Sequence, residues 1–431
     1  MKASVSMESA RADGGPPLLR AGRLARGVVY NLAGAAVPAV LGLLAIPLLA
    51  AGLGTARLGV LALAWTVLGY LAVMHFGVGR ALTQAAGRGL GAGLAPTAWT
   101  ALALTAGAGV MAGIALLLGA GPLAAALRLP PGLEREAASS FRVLSLALPF
   151  TVSAPALSGL LEARGRFGRL NLVTACVSAA TYLGPLAALA LGAGLPGVVG
   201  VLAAARAAGW MALAALCLRE FPELRTAARP ERGRAAELLR FGGWSTVSAV
   251  AGPVMAYTDR FVIAGALSAS AVAFYATPQE VALRIGMLSG AVVGVFFPAF
   301  AAASAAVDAA RMGRLLRGGW EAAFALVLVP ALALAAFAGE GLRLWLGAEW
   351  SAAARWPLAW LAAGLLVNAI AKVIAALLLG VGRPDVPAKL HLVEVVLYLP
   401  LLFLLVHRFG ITGAAAAWTA RAAGDAAALL W

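Results

Sequence analysis

The sequence predicts an all-α polytopic membrane protein, about twelve transmembrane helices in two pseudo-symmetric six-helix lobes that form a parallel repeat. Two observations carry this. Hydrophobic residues make up 62% of the 431 and charged residues 12%, with a mean hydropathy of +0.92, whereas soluble domains carry about 25% charged residues. The half after residue 215 also repeats the half before it. Gly194-Leu195-Pro196-Gly197, then Ala205-Arg206-Ala207-Ala208-Gly209, returns as Gly410-Ile411-Thr412-Gly413, then Ala420-Arg421-Ala422-Ala423-Gly424. The offsets are 216 and 215 residues, and Tyr182 and Pro185 answer to Tyr398 and Pro400. A duplicated helical bundle is the pattern of a secondary transporter whose substrate sits between two lobes.

Apolar runs of about 18 residues or more can cross ~30 Å of hydrocarbon, and only helices satisfy their own backbone there. Twelve such runs are expected at about 28–52, 58–83, 97–120, 138–162, 169–192, 196–218, 240–266, 276–303, 319–338, 353–380, 387–406 and 411–431. Residues 1–27 read as a disordered basic leader on the cytoplasmic side, because the run that follows is too long for a signal peptide. The N-terminal lobe is then 28–218 and the C-terminal lobe 241–431. The linker 219–240 holds Pro222, Pro230 and charges of both signs. Prolines 38, 47, 155, 185, 253, 298 and 330 fall within or beside spans and should bend them.

The net charge of +15 does not point to nucleic acid, because the basic residues alternate with the spans. With an inside N-terminus, 21 of them occupy the inner loops, among them Arg20, Arg23, Arg26, Arg164, Arg166, Arg169, Arg311, Arg314 and Arg317. Only six, Arg57, Arg128, Arg135, Arg343, Arg355 and Arg408, occupy the outer ones. That asymmetry places both termini in the cytoplasm. Membrane-lipid headgroups are a secondary use of the same charge. Trp99, Trp210, Trp244, Trp320, Trp345, Trp350 and Trp356 lie near span ends and read as interfacial anchors.

Ionisable residues inside the spans carry the functional reading. They are Arg142, Arg206, Asp259, Arg260, Glu280, Arg284, Lys372, Glu394, Arg421 and Asp425. Each costs at least ~2.5 kcal/mol at the bilayer centre and so faces a partner or a wet cavity. Glu280 and Arg284 are spaced to neutralise each other, and Asp425 is spaced to reach Arg421. Structural ion pairing is one reading of the set. The other is a cationic cavity for an anion, because arginine's fork fits phosphate oxygens. Between Asp13 and Glu134 there is no carboxylate, which counts against a cation-coupled drug exporter that binds its ion in the first lobe.

No catalytic constellation, cofactor motif or metal site is expected. His75, His391 and His407 have no metal-ligand spacing, no P-loop is present, and Cys176 and Cys217 read as apolar filler.

The ordered motifs resemble the Wzx-type polysaccharide flippases of the multidrug/oligosaccharidyl-lipid/polysaccharide (MOP) superfamily. Asn31-Leu32-Ala33-Gly34, Leu58-Gly59-Val60 and Phe76-Gly77-Val78-Gly79-Arg80 stand in the first lobe. Leu239-Arg240-Phe241-Gly242-Gly243-Trp244, Asp259-Arg260-Phe261-Val262-Ile263, Tyr275, Pro278 and Gly380-Val381-Gly382-Arg383-Pro384 stand in the second. His75 stands where that family often has an acidic residue. The resemblance implies a lipid-linked oligosaccharide of undecaprenyl diphosphate type as substrate, moved between leaflets of a bacterial cytoplasmic membrane by alternating access. Polysaccharide polymerase and glycosyltransferases are the partners it implies. The diphosphate is then expected on Arg206, Arg260, Arg284 and Lys372, with Arg142 and Arg421 as further candidates, and ion coupling on Asp259 and Glu394. A multidrug exporter of the same superfamily and a non-transporting scaffold of a glycan-assembly complex are the alternatives.

Overall fold

The computed structural model describes residues 17–73, 82, 94–130, 132–164, 166–225, 231, 233, 235, 255, 257–383 and 385–430, with side chains of 17–39 and a few others excepted. Among these residues the ordered structure is helical apart from turns. The helix Pro17–Val73 breaks at Gly54 into α1 (17–53) and α2 (55–73). α3 is Leu94–Ala126. α4 is built of Leu133–Ser145 and Leu148–Ala163, α5 is Phe167–Ala190 and α6 is Leu195–Glu220. The second lobe begins with α7, described over 257–266. α8 (Ala269–Ala305), α9 (Ala309–Ala336) and α10 (Ala348–Gly380) follow, with a short helix Ala338–Leu346 before α10. The helix Asp385–Leu430 breaks at Gly410 into α11 (385–409) and α12 (411–430).

Among the described residues, nine helical stretches are long and apolar enough to cross a membrane. Two of them contain the glycine breaks, so each is a pair of crossings. A straight 46-residue helix would be about 69 Å long, more than twice the hydrocarbon thickness. At Gly410 φ is +60°, and a Cβ on Gly413 would stand 2.0 Å from the carbonyl oxygen of Leu405. The chain therefore doubles back there, with α12 laid against α11 at a distance only glycine permits. With α7 as a further segment, the twelve predicted spans all have a helical counterpart. The chain is a multi-pass membrane protein.

The crossings alternate. At one face Glu136, at the start of α4, accepts from Arg57 Nε at 2.9 Å and from the backbone N–H of Leu195 at 3.0 Å, so the starts of α2, α4 and α6 meet. At the other face Glu220 closes α6 on Arg166, at 2.9 Å, and on Arg169. There Trp99, near the start of α3, donates to the Leu224 carbonyl at 3.2 Å. The start of α1 and the end of α12 consequently belong to that second face. Gly132 and Gly347 precede α4 and α10 with φ +89° and +101°. They are 215 residues apart, a repeat landmark the sequence reading passed over.

Among the described residues one apolar cluster runs through both lobes, from Leu49 and Leu61 through Phe141 and Val198 to Tyr275, Leu358 and Trp418. A second, around Ala98, Leu160 and Phe221, belongs to the first lobe alone. Thus the lobes are joined at the first face, chiefly by α1 and α2 packing on α8.

Some expectations change. The helix begins at Pro17, inside the expected disordered leader, where a proline suits the first turn. Trp350 is 3% exposed and packs edge-on to Phe274, with ring centres 4.9 Å apart. Trp210 donates to Ser153 Oγ at 2.9 Å and meets Phe150 edge-to-face. Both are packing residues rather than interfacial anchors; Trp320 and Trp356 remain exposed. Trp244, His75 and most of the 219–240 linker lie outside the described residues.

Candidate functional site

Where α1, α2 and α5 meet α7 and α8, two helices supply a buried polar lattice. One turn of α7 carries Tyr257, Asp259 and Arg260. On α8, Tyr275 and Gln279, and Glu280 and Arg284, are each four residues apart, so the four line one broad side of the helix. Asp259 is 0% exposed. Its carboxylate accepts from Tyr275 Oη at 2.8 Å, from Gln279 Nε2 at 2.9 Å and from the backbone N–H of Arg260 at 2.7 Å. Arg260, 2% exposed, spends all three guanidinium nitrogens internally. Nε and Nη2 donate to Gln279 Oε1 at 3.1 and 3.0 Å, Nη2 also to Glu280 Oε1 at 3.0 Å, and Nη1 to Thr66 Oγ1 at 2.9 Å. Thr66 is on α2, so this last bond crosses between lobes. The Tyr257 ring lies 5.5 Å from the guanidinium carbon.

One turn further along α8, Arg284 is half-buried and 3.8 Å from Glu280. It donates to Tyr182 Oη at 3.2 Å, a second bond between lobes. Arg206 on α6 is within electrostatic reach of the same tyrosine and has no carboxylate within 4 Å among the described residues. Beside this group is a cavity of about 320 Å³, walled by Gly42, Leu43, Ile46, Ile285 and Leu288 and floored by Tyr182, Glu280 and Arg284. Trp345 closes its rim by donating to the Leu43 carbonyl at 2.7 Å. Gly42 leaves the room this needs, since a Cβ there would be 3.1 Å from the Tyr182 ring. The arrangement suits a ligand with an anionic group and an apolar part.

A second polar group lies wholly in the C-terminal lobe. Arg421 on α12 is 3.6 Å from Glu394 on α11, and one ligand atom from each of His391, Glu394 and Asp425 lies within 4.8 Å of the others. On neighbouring α10, Lys372 Nζ donates to the Gly286 carbonyl of α8 at 3.0 Å.

A family model described as "Polysaccharide biosynthesis protein" matches residues 24–304, which include most of α1, α2 to α7, all but the last residue of α8 and the whole lattice. The chain belongs to that family. It is 26% identical over 417 residues to the "Putative O-antigen transporter" of Shigella flexneri, covering 94% of this chain and 96% of that one. Its fold is like that of a multidrug resistance MATE family transporter of the MOP superfamily in its inward-facing conformation. That match has a TM-score of 0.78 at 19% identity and covers 91% of this chain and 93% of the other. The lipid II flippase MurJ, in an inward closed conformation, aligns with a TM-score of 0.73 at 12% identity, covering 91% and 85%. These likenesses establish the two-lobe architecture.

Within this polysaccharide biosynthesis family member, the structure brings Arg260, Arg284 and Asp259 together at the lobe interface, with Arg206 near them through Tyr182. Arg421, Glu394 and Lys372 belong to the second group. Arg142 is exposed on α4 and joins neither. One pairing differs from the sequence expectation: Arg421 meets Glu394 rather than Asp425. The Asp259 side chain accepts from the backbone N–H of Arg260 and not from its guanidinium. Thr66 and Gln279 went unnoticed, and Tyr182 and Tyr275 stood out only as a repeat landmark and a family motif, because neutral hydrogen-bonding residues have no spacing that marks them as site residues. His391 left a trace: with Glu394 it forms a His-x-x-Glu step on one helix face.

Proposed function

We propose that this protein is a flippase that carries a lipid-linked oligosaccharide of polyprenyl-diphosphate type across a bacterial cytoplasmic membrane by alternating access. One observation carries the reading. Arg284 and Arg206 converge on Tyr182 beside an otherwise apolar cavity at the junction of the lobes, with Glu280 alone to offset them. A diphosphate diester has two negative charges, and guanidinium groups bind its oxygens in bidentate fashion. The apolar wall formed by α1 and α8 suits the first prenyl units. In this reading Arg260 positions Glu280 and the interface rather than touching the substrate. The O-antigen name of the Shigella relative supports a surface glycan as cargo.

The face that bears the start of α1 and the end of α12 is cytoplasmic in this reading, following the basic residues of the loops on that side. Glycosyltransferases would then load the carrier inside, and a polymerase would receive it outside. No chemical step is required of the chain.

Mass spectrometry of lipid-linked intermediates in a strain lacking the gene tests the reading. Accumulation of a polyprenyl-diphosphate oligosaccharide with loss of one surface glycan is expected. An unchanged lipid-linked pool would overturn it, and altered dye sensitivity with that pool unchanged would favour the drug exporter instead.

A further inference from the structure

The group at the α11–α12 hairpin has a property the lobe-interface lattice lacks. There every polar atom of Asp259 and Arg260 is engaged, whereas Glu394 is 7% exposed and neither of its carboxylate oxygens has a hydrogen-bond donor. Nδ1 of His391, Nε of Arg421 and the hydroxyl of Tyr398, which is 1% exposed and one turn along from Glu394, are likewise buried without a hydrogen-bond partner. Buried polar atoms are ordinarily satisfied, so four residues left open around one point mark a place built for a guest.

The charges say what kind of guest. Glu394 and Asp425 bring two negative charges and Arg421 one positive. Lys372, which faces Arg421 from α10, is committed to the carbonyl of Gly286 and forms no ion pair with either carboxylate. A divalent metal would sit against Arg421, only 3.6 Å from Glu394. A sodium ion seeks hard oxygen ligands and gains little from an imidazole, while a proton can be bound by carboxylate and imidazole alike. Asp425 is 15 residues beyond the Gly410 turn, about 22 Å at 1.5 Å per residue, in the half of the membrane away from the joined face.

We propose that Glu394, Asp425 and His391 form a proton-binding site in which one proton and Arg421 alternate as the partner of Glu394. The proton enters from water on the open side, forms an O–H bond on a Glu394 oxygen, and shares it with Asp425 or His391. Arg421 is thereby released from its ion pair. Arg421 is the repeat counterpart of Arg206, so the site links proton occupancy to a cation equivalent to one assigned to the anionic cargo. That link rests on the flippase reading; the proton site itself does not.

Infrared difference spectroscopy of the full-length protein in lipid nanodiscs, titrated with acid and without substrate, tests the site directly. A carboxylic C=O band should titrate in the wild type, vanish in Glu394→Gln, and persist with a shifted midpoint in Glu394→Asp and in His391→Gln. Asp425→Asn supplies the same comparison if Glu394→Gln does not fold. A band unaltered in Glu394→Gln and Asp425→Asn would overturn the proposal. Displacement of the band by sodium chloride at constant ionic strength would overturn it in favour of sodium. Transport that stays proton-driven in Glu394→Gln, although its band is gone, would sink the flippase link and leave the site standing.

Discussion

Thr55 donates its hydroxyl hydrogen to the hydroxyl oxygen of Ser270 across 3.3 Å, and the two residues are 215 positions apart, the offset of the internal repeat. A residue that touches its own repeat counterpart lies on the axis relating the two copies. The pseudo-two-fold therefore passes between the starts of α2 and α8, through the face where the lobes are joined. Gly59 lies one turn further along α2, where a Cβ would stand 1.8 Å from the Ala269 carbonyl oxygen, so the backbones touch there too. Alternating access requires this contact to part.

A disulfide across the axis should therefore arrest the cycle. Thr55→Cys with Ser270→Cys is expected to cross-link under mild oxidation and to abolish export of the surface glycan. Reduction should restore export, and each single variant should be active. Export that continues in the fully cross-linked protein would mean that the lobes do not separate at this face.

The α11–α12 hairpin depends on Gly413. Its added methyl would meet the Leu405 backbone at 2.0 Å, and backbone cannot swing aside as a side-chain end can. Gly413→Ala should destabilise the protein by about 1–3 kcal/mol and lower its Tm in detergent. Gly107→Ala, on α3 with nothing within 4 Å of the new atom, should leave Tm unchanged or slightly higher. Equal Tm values for the two variants would contradict the close approach.

Arg260 is expected to matter for stability before transport. Its removal leaves Gln279, Thr66 and one Glu280 oxygen without their donor, and breaking a buried charged pair costs about 3–5 kcal/mol. Arg260→Ala should lower Tm and the inserted yield. Arg260→Lys should recover only part, because one ammonium cannot reach three acceptors in the plane of a fork. A stable Arg260→Ala protein without transport would instead put this guanidinium in contact with substrate.

The spans and the duplication were legible because both are carried by residue type alone. Long apolar runs have few alternatives in lipid, and Gly194 with Gly410 or Arg206 with Arg421 keep their places in the repeat. Sequence also singled out the charged residues, since each is costly in a bilayer. It did not reveal which would be sealed and which left open. Asp259 and Glu394 look alike in the chain, yet the first accepts three hydrogen bonds and the second none. The difference lies in Tyr275 and Gln279, which α8 brings against Asp259 of α7 and which no local spacing records. The hairpin at Gly410 likewise fixed that Arg421 meets Glu394, although helical spacing had matched it to Asp425.

Arg206 gives the sharpest test of the substrate site, because its role and its stability contribution come apart. It lies on α6 of a lobe whose first three helices contain no carboxylate, and it reaches toward Tyr182 without an ion pair. Deleting a charge that nothing neutralises removes a desolvation penalty rather than a bond. Arg206→Ala should therefore match the wild type in stability within about 0.5 kcal/mol or exceed it, with a Tm no lower. In a deletion strain it should nevertheless fail to clear the lipid-linked oligosaccharide from the inner leaflet. Arg206→Lys should restore part of that clearance, keeping the charge but losing the bidentate fork. Full clearance by Arg206→Ala would remove this arginine from the site and leave Arg284 to hold the diphosphate alone.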